Sequence, residues 1–466
     1  MGLRTAKEYR GGLRDGRRVV CRGQRIDSAA DHPELTPAVD HSANCYDIAR
    51  SQPELAVAGG AEPYSAFYRV PRSAEELRAR GELIEAVSRL GGGIIVLKEV
   101  GSDAMFALLR TLEGEELARA EAFHERVCRD DLALAVAQTD AKGDRALAPH
   151  QQEDPDLYLR IVDEDAGSIT VRGAKRHTSH SANADELVVL PTRAMGPHDA
   201  DYAVSFAIPV DTPGAEHLRV ALPRGRARPV RLPAFVAAQD ARKPHGLRRR
   251  ARAEGPRVPQ PAARARRTAG RRVRGLPTGS RRSTTSCRCS IFSSARRSLI
   301  AEYNGIARAG HVKDKIAQLI AYAETVRGLA ELAALRSRPG EHGIQQPDPV
   351  AVNTAKYSFA HGFHDAAAKL IDLAGGLLAT GPGGEDWANP EIRAVLEQHY
   401  AAAVPAEPRL RLLNLIAGLT ARDYGGYQAV LATHAEGSLE AEKLQIARTY
   451  DPARARAYAS RHAGLA

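Results

Sequence analysis

The spacing of apolar residues divides the chain into a helical region, a β region and a second helical region. Residues 73–90 predict a helix, because Ser73 and Glu76 form a capping box and apolar residues then recur at helical spacing: Leu77, Ile84, Val87 and Leu90. The next region predicts closely spaced strands, since short β-branched runs are separated by Asp, Gly and Pro: 155–162, 168–175, 186–192 and 202–210. Helical spacing returns after residue 298: 311–335, 360–380 and 409–431.

This order predicts an α+β fold with three structured domains. We expect an N-terminal helical domain over residues 1–136, a middle β domain over 137–219 and a C-terminal helical bundle over 298–466. The remaining segment, residues 220–297, follows none of these patterns. We predict that it is anomalous and disordered.

Composition narrows the class of protein. The 466 residues contain no run of 18 or more apolar residues, and the N-terminus lacks an apolar signal stretch, so we expect neither a membrane span nor secretion. The five cysteines are an odd number, and Cys287-Arg288-Cys289 has no second pair to complete a zinc site. We therefore predict no metal site and a location in the reducing cytoplasm.

The positive charge of the chain is confined to one block. Residues 221–300 contain 21 Arg and one Lys against Asp240 and Glu254, a net charge of +20, whereas the other 386 residues carry 44 basic and 54 acidic groups. The overall charge of +10 therefore describes the block and not the rest of the chain. A solvated basic linker and a phosphate-binding arm for nucleic acid are two interpretations of this block.

A frameshift is the third interpretation. Arg, Ala, Gly, Pro and Ser are the residues that GC-rich codons give when they are read out of register. Residues 286–297, back-translated and re-read one nucleotide earlier, allow an apolar helix start that continues into "SLIAEYNG" at 298–305. We hypothesise that roughly residues 220–297 are a frameshifted translation, which disfavours nucleic acid as a partner. An uninterrupted, correctly registered reading frame in the gene would refute this hypothesis.

The stretch "AQTDAKGDRALAPHQQEDPDLYLRIV" (137–162) carries the most informative chemistry. It predicts a turn between a helix and a strand that gathers charged and polar residues: Thr139, Asp140, Lys142, Gly143, Asp144 and Arg145. Backbone N–H groups near Gly143, together with Lys142 and Arg145, suit a phosphate or an electron-rich aromatic ring. The alternative is a polar loop bridged by an ion pair between Asp144 and Arg145.

The run "TDxKGDR…APH…DPDLYLR…GAK" resembles the flavoprotein superfamily that joins 4-hydroxyphenylacetate 3-hydroxylases and 4-hydroxybutyryl-CoA dehydratases. The resemblance extends to residues 4–33, 301–315 and 372–382, and only the segment at roughly 220–297 departs from it. It implies an acyl-CoA-dehydrogenase-like architecture with an N-terminal helical domain, a middle β domain and a C-terminal helical bundle. It also implies a homo-oligomer, which we expect to be a tetramer.

The resemblance further implies FAD or FADH2 as the cofactor. It implies that the turn described above lines the flavin: Gln138, Thr139, Asp140, Lys142, Gly143, Asp144 and Arg145. It places Ser179 near the isoalloxazine ring, and it implies that Gly375 and Gly376 give backbone contacts to the FAD of a neighbouring subunit. A close approach between helices is the alternative reason for these two glycines.

Our main prediction is a two-component flavin monooxygenase that hydroxylates a phenolic substrate in aromatic catabolism, as 4-hydroxyphenylacetate 3-hydroxylases do. A separate flavin reductase would supply FADH2. The catalytic residues stay unassigned, because Leu97, Lys98 and Ala137 occupy the neighbourhood in which the resemblance implies an Arg, a Tyr and a His around the phenol.

The alternative enzyme is a 4-hydroxybutyryl-CoA dehydratase/vinylacetyl-CoA isomerase acting on a CoA thioester. It is disfavoured, because Ile95 and Glu99 stand where the dehydratases carry two of the cysteines that hold a [4Fe–4S] cluster, and neither replaces a thiolate. An inactive frameshifted product and an Arg-rich nucleic-acid binder are the remaining alternatives.

Overall fold

The structure is a computed structural model, and the residues that it describes are 2–91, 96–164, 168–193, 195–215, 217–219, 251–253, 294–434 and 439–465. These described residues form two compact units, one drawn from within 1–284 together with 339–345, and one drawn from within 285–338 together with 346–466. Of the anomalous segment 220–297, all but 251–253 and 294–297 lies outside the described residues. The frameshift and the predicted disorder therefore stay predictions.

Helices form most of the first half of the first unit. They are α1 (Ala6–Gly12), α2 (Thr36–Ser51), α3 (Pro53–Ala56), α4 (Ala74–Leu90), α5 (Leu97–Thr111) and α6 (Gly114–Asp130). The predicted helix at 73–90 is confirmed as α4, whose Ser73 side chain accepts the Glu76 N–H. The Glu76 carboxylate accepts the Arg72 N–H at 2.6 Å, which is a different arrangement from the reciprocal half of the predicted capping box. Leu90, expected on the apolar face, is 54% exposed because it is the last helical residue.

The strands of this unit are short. They are β1 (Val19–Cys21), β2 (Gln24–Ile26), β3 (Val57–Ala58), β4 (Tyr64–Ser65), β5 (Leu134–Ala137), β6 (Thr139–Asp140), β7 (Arg160–Glu164), β8 (Ile169–Arg172), β9 (Lys175–Arg176), β10 (Glu186–Val189), β11 (Phe206–Pro209), β12 (His217–Arg219) and β13 (Ala251–Ala253). Their sheet orders are β12-β1-β2, β11-β10-β5 and β13-β8-β7, with β3-β4 and β6-β9 as two-stranded ladders. Each predicted run contains a strand, and 3₁₀ turns at Pro155–Leu157 and Ala200–Tyr202 occupy the start of two of the runs.

One hydrophobic core spans the predicted boundary at 136/137. It contains Val39 and Ile84 from the helices together with Leu187 and Phe206 from the strands. The two regions share this core because β5 pairs in parallel with β10, so that the chain enters the sheet directly from α6. Helices and sheets pack within one unit, as an α+β fold requires.

The second unit is mostly helical within its described residues. Its helices are α7 (Ser294–Tyr303), α8 (Gly310–Leu335), α9 (Pro349–Ala374), α10 (Leu377–Thr380), α11 (Gly384–Ala388), α12 (Pro390–His399), α13 (Ala406–Thr420), α14 (Asp423–His434), α15 (Leu439–Thr449) and α16 (Ala453–His462). Short strands, β14 (Arg338–Pro339) and β15 (Gln345–Gln346), lie where the chain passes between the units.

The predicted helices of this unit form with shifted ends. Helix α9 begins eleven residues before the predicted 360, with Pro349 in its first turn and Asp348 as the N-cap that accepts the Ala351 N–H at 2.7 Å. The predicted helix at 409–431 is divided into α13 and α14. The α+β class and the helical–β–helical order are confirmed. Within the described ranges, we find no helix that is both long enough and apolar enough to cross a membrane.

Candidate functional site

The candidate residues at 138–145 lie at the end of strand β5, where the two-stranded ladder β6-β9 begins. In this ladder Thr139 pairs with Arg176, and Asp140 pairs with Lys175. The ladder therefore joins the turn that follows β5 to the "GAK" motif, whose Lys175 comes 35 residues after Asp140 in the chain. The two motifs on which the flavoprotein resemblance depends are neighbours in space.

A buried ion pair holds the ladder together. Lys175 Nζ lies 2.7 Å from Asp140 Oδ1, and it also donates to the carbonyl oxygens of Leu190 at 2.9 Å and Gln138 at 3.2 Å. The Leu159 N–H donates to the same Asp140 oxygen at 3.0 Å. Burial lowers the pKa of Lys175, and the Asp140 carboxylate partly offsets this effect. Lys175 is thus a structural cation rather than a group presented to a ligand.

Thr192 completes the support of this turn. Its hydroxyl accepts the Asp140 N–H at 2.7 Å and donates to the Gln138 carbonyl at 2.7 Å. The Gln138 carbonyl and the N–H and carboxylate of Asp140 therefore stabilise this turn through hydrogen bonds within the protein. Both residues position the neighbouring candidate residues.

The loop after β6 turns sharply at Lys142 (φ +73°) and Gly143 (φ +51°). The positive φ of Gly143 favours glycine, and a Cβ atom there would lie 2.2 Å from Gln152 Oε1, so the Gln152 side chain would have to move. The Gln152 side chain accepts the Asp144 N–H at 3.1 Å and donates to the Asp144 carbonyl at 2.8 Å. The Gln152 side chain thus binds the Asp144 N–H, which is one of the backbone N–H groups near Gly143 that we expected to bind an anion.

The Asp144 side chain is also engaged inside the loop, where Oδ1 accepts the Ala146 N–H at 2.9 Å. Among the described ion pairs, none joins Asp144 to Arg145, so the alternative of a bridged polar loop does not describe this segment. The side chain of Arg145 is exposed, and Lys142 is half-buried. Partial burial and the nearby charge of Arg145 lower the pKa of Lys142.

Ser179 lies in the turn that follows β9. Two residues of the N-terminal segment hold this turn: Arg17 donates to the carbonyls of Ala182 at 2.9 Å and Ala184 at 2.7 Å, and Tyr9 donates to the Asn183 carbonyl at 2.8 Å. The Arg17 side chain is 1% exposed. These supporting residues were missed as site residues, although they belong to the N-terminal stretch on which the resemblance partly depends.

Whether a flavin fits here depends on side chains whose polar groups make no hydrogen bond within the protein. Thr139 and Ser179 are both half-buried, and neither hydroxyl makes a hydrogen bond to any described residue. Lys142 and Arg145 likewise make no hydrogen bond or ion pair within the described part of the chain. Two hydroxyls and two cations are a donor set that fits the polar edge and phosphates of a flavin dinucleotide.

Gly375 and Gly376 belong to the second unit. Gly375 ends helix α9 with φ +81°, and a Cβ atom on either glycine would meet no atom within 4 Å. The alternative of a close helix–helix approach therefore finds no support in the described residues. Both glycines expose backbone, as a contact to a ligand of another subunit requires.

A histidine–aspartate pair that the sequence did not predict joins two loops of the first unit. His150 Nδ1 lies 2.6 Å from Asp199 Oδ1, and the His150 N–H donates to the same oxygen at 3.1 Å. The Gly196 N–H donates to the other carboxylate oxygen at 2.9 Å. Residues 49 positions apart leave no periodic signal in the sequence, so only the "APH" of the resemblance pointed to this region.

Lys98 is committed to the core. Its Nζ lies 2.5 Å from Asp131 Oδ1 and 3.8 Å from the centroid of the Tyr46 ring, and its side chain is 1% exposed. Lys98 therefore does not substitute for a substrate-binding Arg. Glu99 is fully buried, and Ile95 lies outside the described residues. In the part of the chain that the structure describes, no group of three or more His, Cys, Asp or Glu could hold a metal ion.

Two sequence profiles match the chain. The profile for the N-terminal region of 4-hydroxyphenylacetate 3-hydroxylase matches residues 5–228, and the profile for its C-terminal region matches residues 296–464. The chain belongs to the 4-hydroxyphenylacetate 3-hydroxylase family. The superfamily named from the sequence is confirmed. The two matches leave residues 229–295 between them.

Members of both activity classes are similar to this chain. The 4-hydroxybutyryl-CoA dehydratase/vinylacetyl-CoA-Δ-isomerase of Clostridium aminobutyricum is 28% identical over 96% of this chain and 96% of its own length. The oxygenase component of 4-hydroxyphenylacetate 3-monooxygenase from Thermus thermophilus is 24% identical over 87% of this chain and 86% of its own.

Solved structures of the family have the same fold. An archaeal 4-hydroxybutyryl-CoA dehydratase from N. maritimus superposes with a TM-score of 0.87 at 24% identity, covering 100% of this chain and 95% of its own. An oxygenase component of 4-hydroxyphenylacetate 3-monooxygenase complexed with FAD superposes with a TM-score of 0.86 at 21% identity, covering 99% of each chain. The acyl-CoA-dehydrogenase-like architecture is thereby confirmed.

Proposed function

We propose that this chain binds FAD and is the oxygenase component of a two-component monooxygenase that hydroxylates a phenolic acid. The observation that carries the proposal is that the half-buried hydroxyls of Thr139 and Ser179, in and after the β6-β9 ladder, make no hydrogen bond within the described residues. A similar protein of the same family is complexed with FAD, which supports the identity of the ligand.

The residues of this chain would divide the work of holding the cofactor. Thr139 and Ser179 would donate hydrogen bonds to the flavin, while Lys142 and Arg145 would balance its negative charge. Gln138, Asp140, Gly143 and Asp144 would keep these groups in place through the contacts described above. Gly375 and Gly376 would contact the FAD of a neighbouring subunit, which requires a homo-oligomer, and we propose a tetramer.

Reduced FAD would supply the chemistry that activates O₂, and a separate reductase would supply the reduced FAD. The protein contributes binding, orientation and the exclusion of water. The similar Thermus thermophilus protein is itself an oxygenase component, which supports a separate reductase as the partner. Within the described residues, Cys21, Cys45 and Cys128 form no disulfide, and we propose the reducing cytoplasm as the location.

Incorporation of ¹⁸O tests the proposed reaction. Purified protein is mixed with FADH2, 4-hydroxyphenylacetate and ¹⁸O₂, and the product is analysed by mass spectrometry. We expect a dihydroxy product that carries one ¹⁸O atom and that is absent when FADH2 or protein is omitted. Consumption of FADH2 without any labelled product, across a panel of phenolic acids, would contradict hydroxylation.

The dehydratase/isomerase is the second candidate, because the Clostridium aminobutyricum enzyme is similar along almost the whole chain. Its cluster is hard to accommodate where Ile95 and Glu99 replace thiolates. Iron and acid-labile sulfide are measured in anaerobically purified protein, together with turnover of 4-hydroxybutyryl-CoA without O₂. We expect neither cluster nor turnover. Finding both would show that the protein is a dehydratase and would contradict the proposed monooxygenase activity.

A further inference from the structure

The His150–Asp199 pair ties together two loops on the same edge of the sheet. His150 lies in the loop that follows β6 and carries Lys142 to Arg145, whereas Asp199 lies in the segment that follows β10. Strands β5 and β10 are parallel and in register from Leu134–Glu186 to Ala137–Val189, so both segments leave the sheet on the same edge. His150 lies in the 3₁₀ turn Pro149–Gln151, and Asp199 directly precedes the 3₁₀ turn Ala200–Tyr202, so the pair bridges two short turns.

Asp199 is built to accept hydrogen bonds. The residue is 3% exposed, and its two carboxylate oxygens receive His150 Nδ1, the His150 N–H and the Gly196 N–H. Burial by itself raises the pKa of Asp199, but the hydrogen bonds from His150 and Gly196 lower the pKa overall. The carboxylate therefore stays charged, and each bond to it is of the stronger, charge-assisted kind.

Among the residues that the structure describes, the His150 ring makes one hydrogen bond, from Nδ1 to Asp199. Because Nδ1 is bound to Asp199, Nε2 is the outward nitrogen, and 35% of the side chain is exposed. The exposed His198 ring lies beside it, with the ring centroids 5.4 Å apart. His150 thus differs from a core histidine: it joins loops at the surface, and two residues later Gln152 clamps the backbone of Asp144.

We propose that His150 and Asp199 are positioning residues for the candidate flavin site: their pairing holds the loop from Lys142 to Gln152 in the geometry that binds the cofactor. The effect on affinity rests on the proposed function, whereas the ordering of the loop does not. Neither residue is assigned a contact to the flavin. Their contribution is to hold the loop that carries Lys142 and Arg145, which follows directly after Thr139 and strand β6.

Four variants of the full chain separate positioning from general support. His150→Ala removes the Nδ1 donor, and Asp199→Asn removes the charge of the acceptor. His150→Asn keeps an N–H donor near the position of Nδ1 and is the conservative variant. His198→Ala removes the neighbouring imidazole without touching Asp199, and is the matched control.

Two readouts are measured for each variant: the dissociation constant for FAD, and hydrogen–deuterium exchange of the peptide that covers 141–153. We expect His150→Ala and Asp199→Asn to weaken FAD binding by about tenfold, since hydrogen bonds to charged groups contribute on this scale. They should also speed exchange in this peptide while the helical peptides of α8 and α9 keep their wild-type exchange. His150→Asn and His198→Ala should match the wild type in both readouts.

The two readouts distinguish a failure of the positioning role from a failure of the proposed flavin function. Unchanged exchange at 141–153 in His150→Ala would overturn the positioning role, whether or not FAD binds. Faster exchange with unchanged FAD affinity would also overturn it, and would leave the flavin function intact. Failure of the wild-type protein to bind FAD would overturn the link between the loop and flavin affinity together with the proposed function.

Discussion

Lys175 Nζ lies 2.7 Å from Asp140 Oδ1, and the two side chains are 8% and 1% exposed. This pair connects the "TDAKGDR" turn to the "GAK" motif, and its hydrogen bonds show that one charged residue of each motif supports the fold. The ion pair and its hydrogen bonds set the register of the ladder β6-β9. Thr139 and Ser179 depend on that register for their positions.

Replacing Lys175 by Met should destabilise the protein strongly. The substitution leaves the Asp140 carboxylate buried without its cation, and breaking a buried pair in this way costs about 3–5 kcal/mol. Urea unfolding at pH 7 measures the change. Arg78→Met is the matched control, because Arg78 and Glu82 form an exposed i,i+4 pair whose loss costs about 0.5 kcal/mol or less. Equal effects of the two substitutions would show that the Lys175 pair is not a support of the site.

The stability of the protein should decrease as the pH falls below neutrality. Burial lowers the pKa of both His124 and His217, and the ring nitrogen Nε2 of each lies 2.8 Å from a backbone carbonyl oxygen. Because the folded state favours the neutral imidazole, the unfolded state binds more protons between the lowered pKa and about 6.5. The stabilisation is therefore complete above pH 6.5 and is lost on acidification.

The free energy of unfolding measured from pH 7.5 to pH 5 checks this direction. In the double variant His124→Gln/His217→Gln the amide still donates to the carbonyl but does not titrate, so the slope should be flatter than in the wild type. His198→Gln, at an exposed position, should keep the wild-type slope. A double variant that follows the wild-type pH dependence would contradict the assignment to these two residues.

Gly143→Ala should disturb the loop even in the absence of a ligand. The positive φ of Gly143 and the 2.2 Å approach of a Cβ atom to Gln152 Oε1 both oppose the substitution. Strain of this kind costs about 1–3 kcal/mol. Urea unfolding and hydrogen exchange of 141–153 should both report the change. Unaltered exchange in this peptide would mean that the loop accepts a side chain at Gly143.

Gly376→Ala should leave the stability of the protein unchanged but weaken flavin binding. Gly376 has ordinary helical angles (φ −61°, ψ −18°), and a Cβ atom there meets nothing within 4 Å. The change in unfolding free energy should therefore be below about 0.5 kcal/mol. A drop in FAD affinity at constant stability, measured at a protein concentration that maintains the oligomer, would report the proposed backbone contact. Wild-type affinity would remove Gly376 from the site.

The sequence predicted the elements of the fold better than the contacts of the site. Helix α4 follows from Ser73 and the apolar residues after it, because capping and periodicity are local signals. The ladder β6-β9 has only two residues in each strand, which is too short for a periodic pattern to predict it. Its position depends on the contacts of Lys175. Arg17, which supports the turn of Ser179 from 165 residues away, is a purely tertiary contact.

The roles of the candidate residues also changed once their partners were known. A sequence motif predicted three of the flavin-binding residues, Gln138, Asp140 and Asp144. In the structure, polar groups of each of them form hydrogen bonds within the protein. Thr139, Lys142, Arg145 and Ser179 keep polar groups that a ligand can use. A motif marks both the residues that bind and those that support them, and only the hydrogen-bond partners distinguish the two.

Titration with FAD and with anaerobic FADH2 tests the central claim most directly. The wild-type chain, Thr139→Val and Ser179→Ala are compared, and unfolding midpoints confirm that all three are folded. We predict saturable binding to the wild type and a loss of about threefold to tenfold in affinity for each variant, as expected for one hydrogen bond. Absence of saturable binding to the folded wild type, or wild-type affinity in both variants, would contradict the assignment of this site to a flavin.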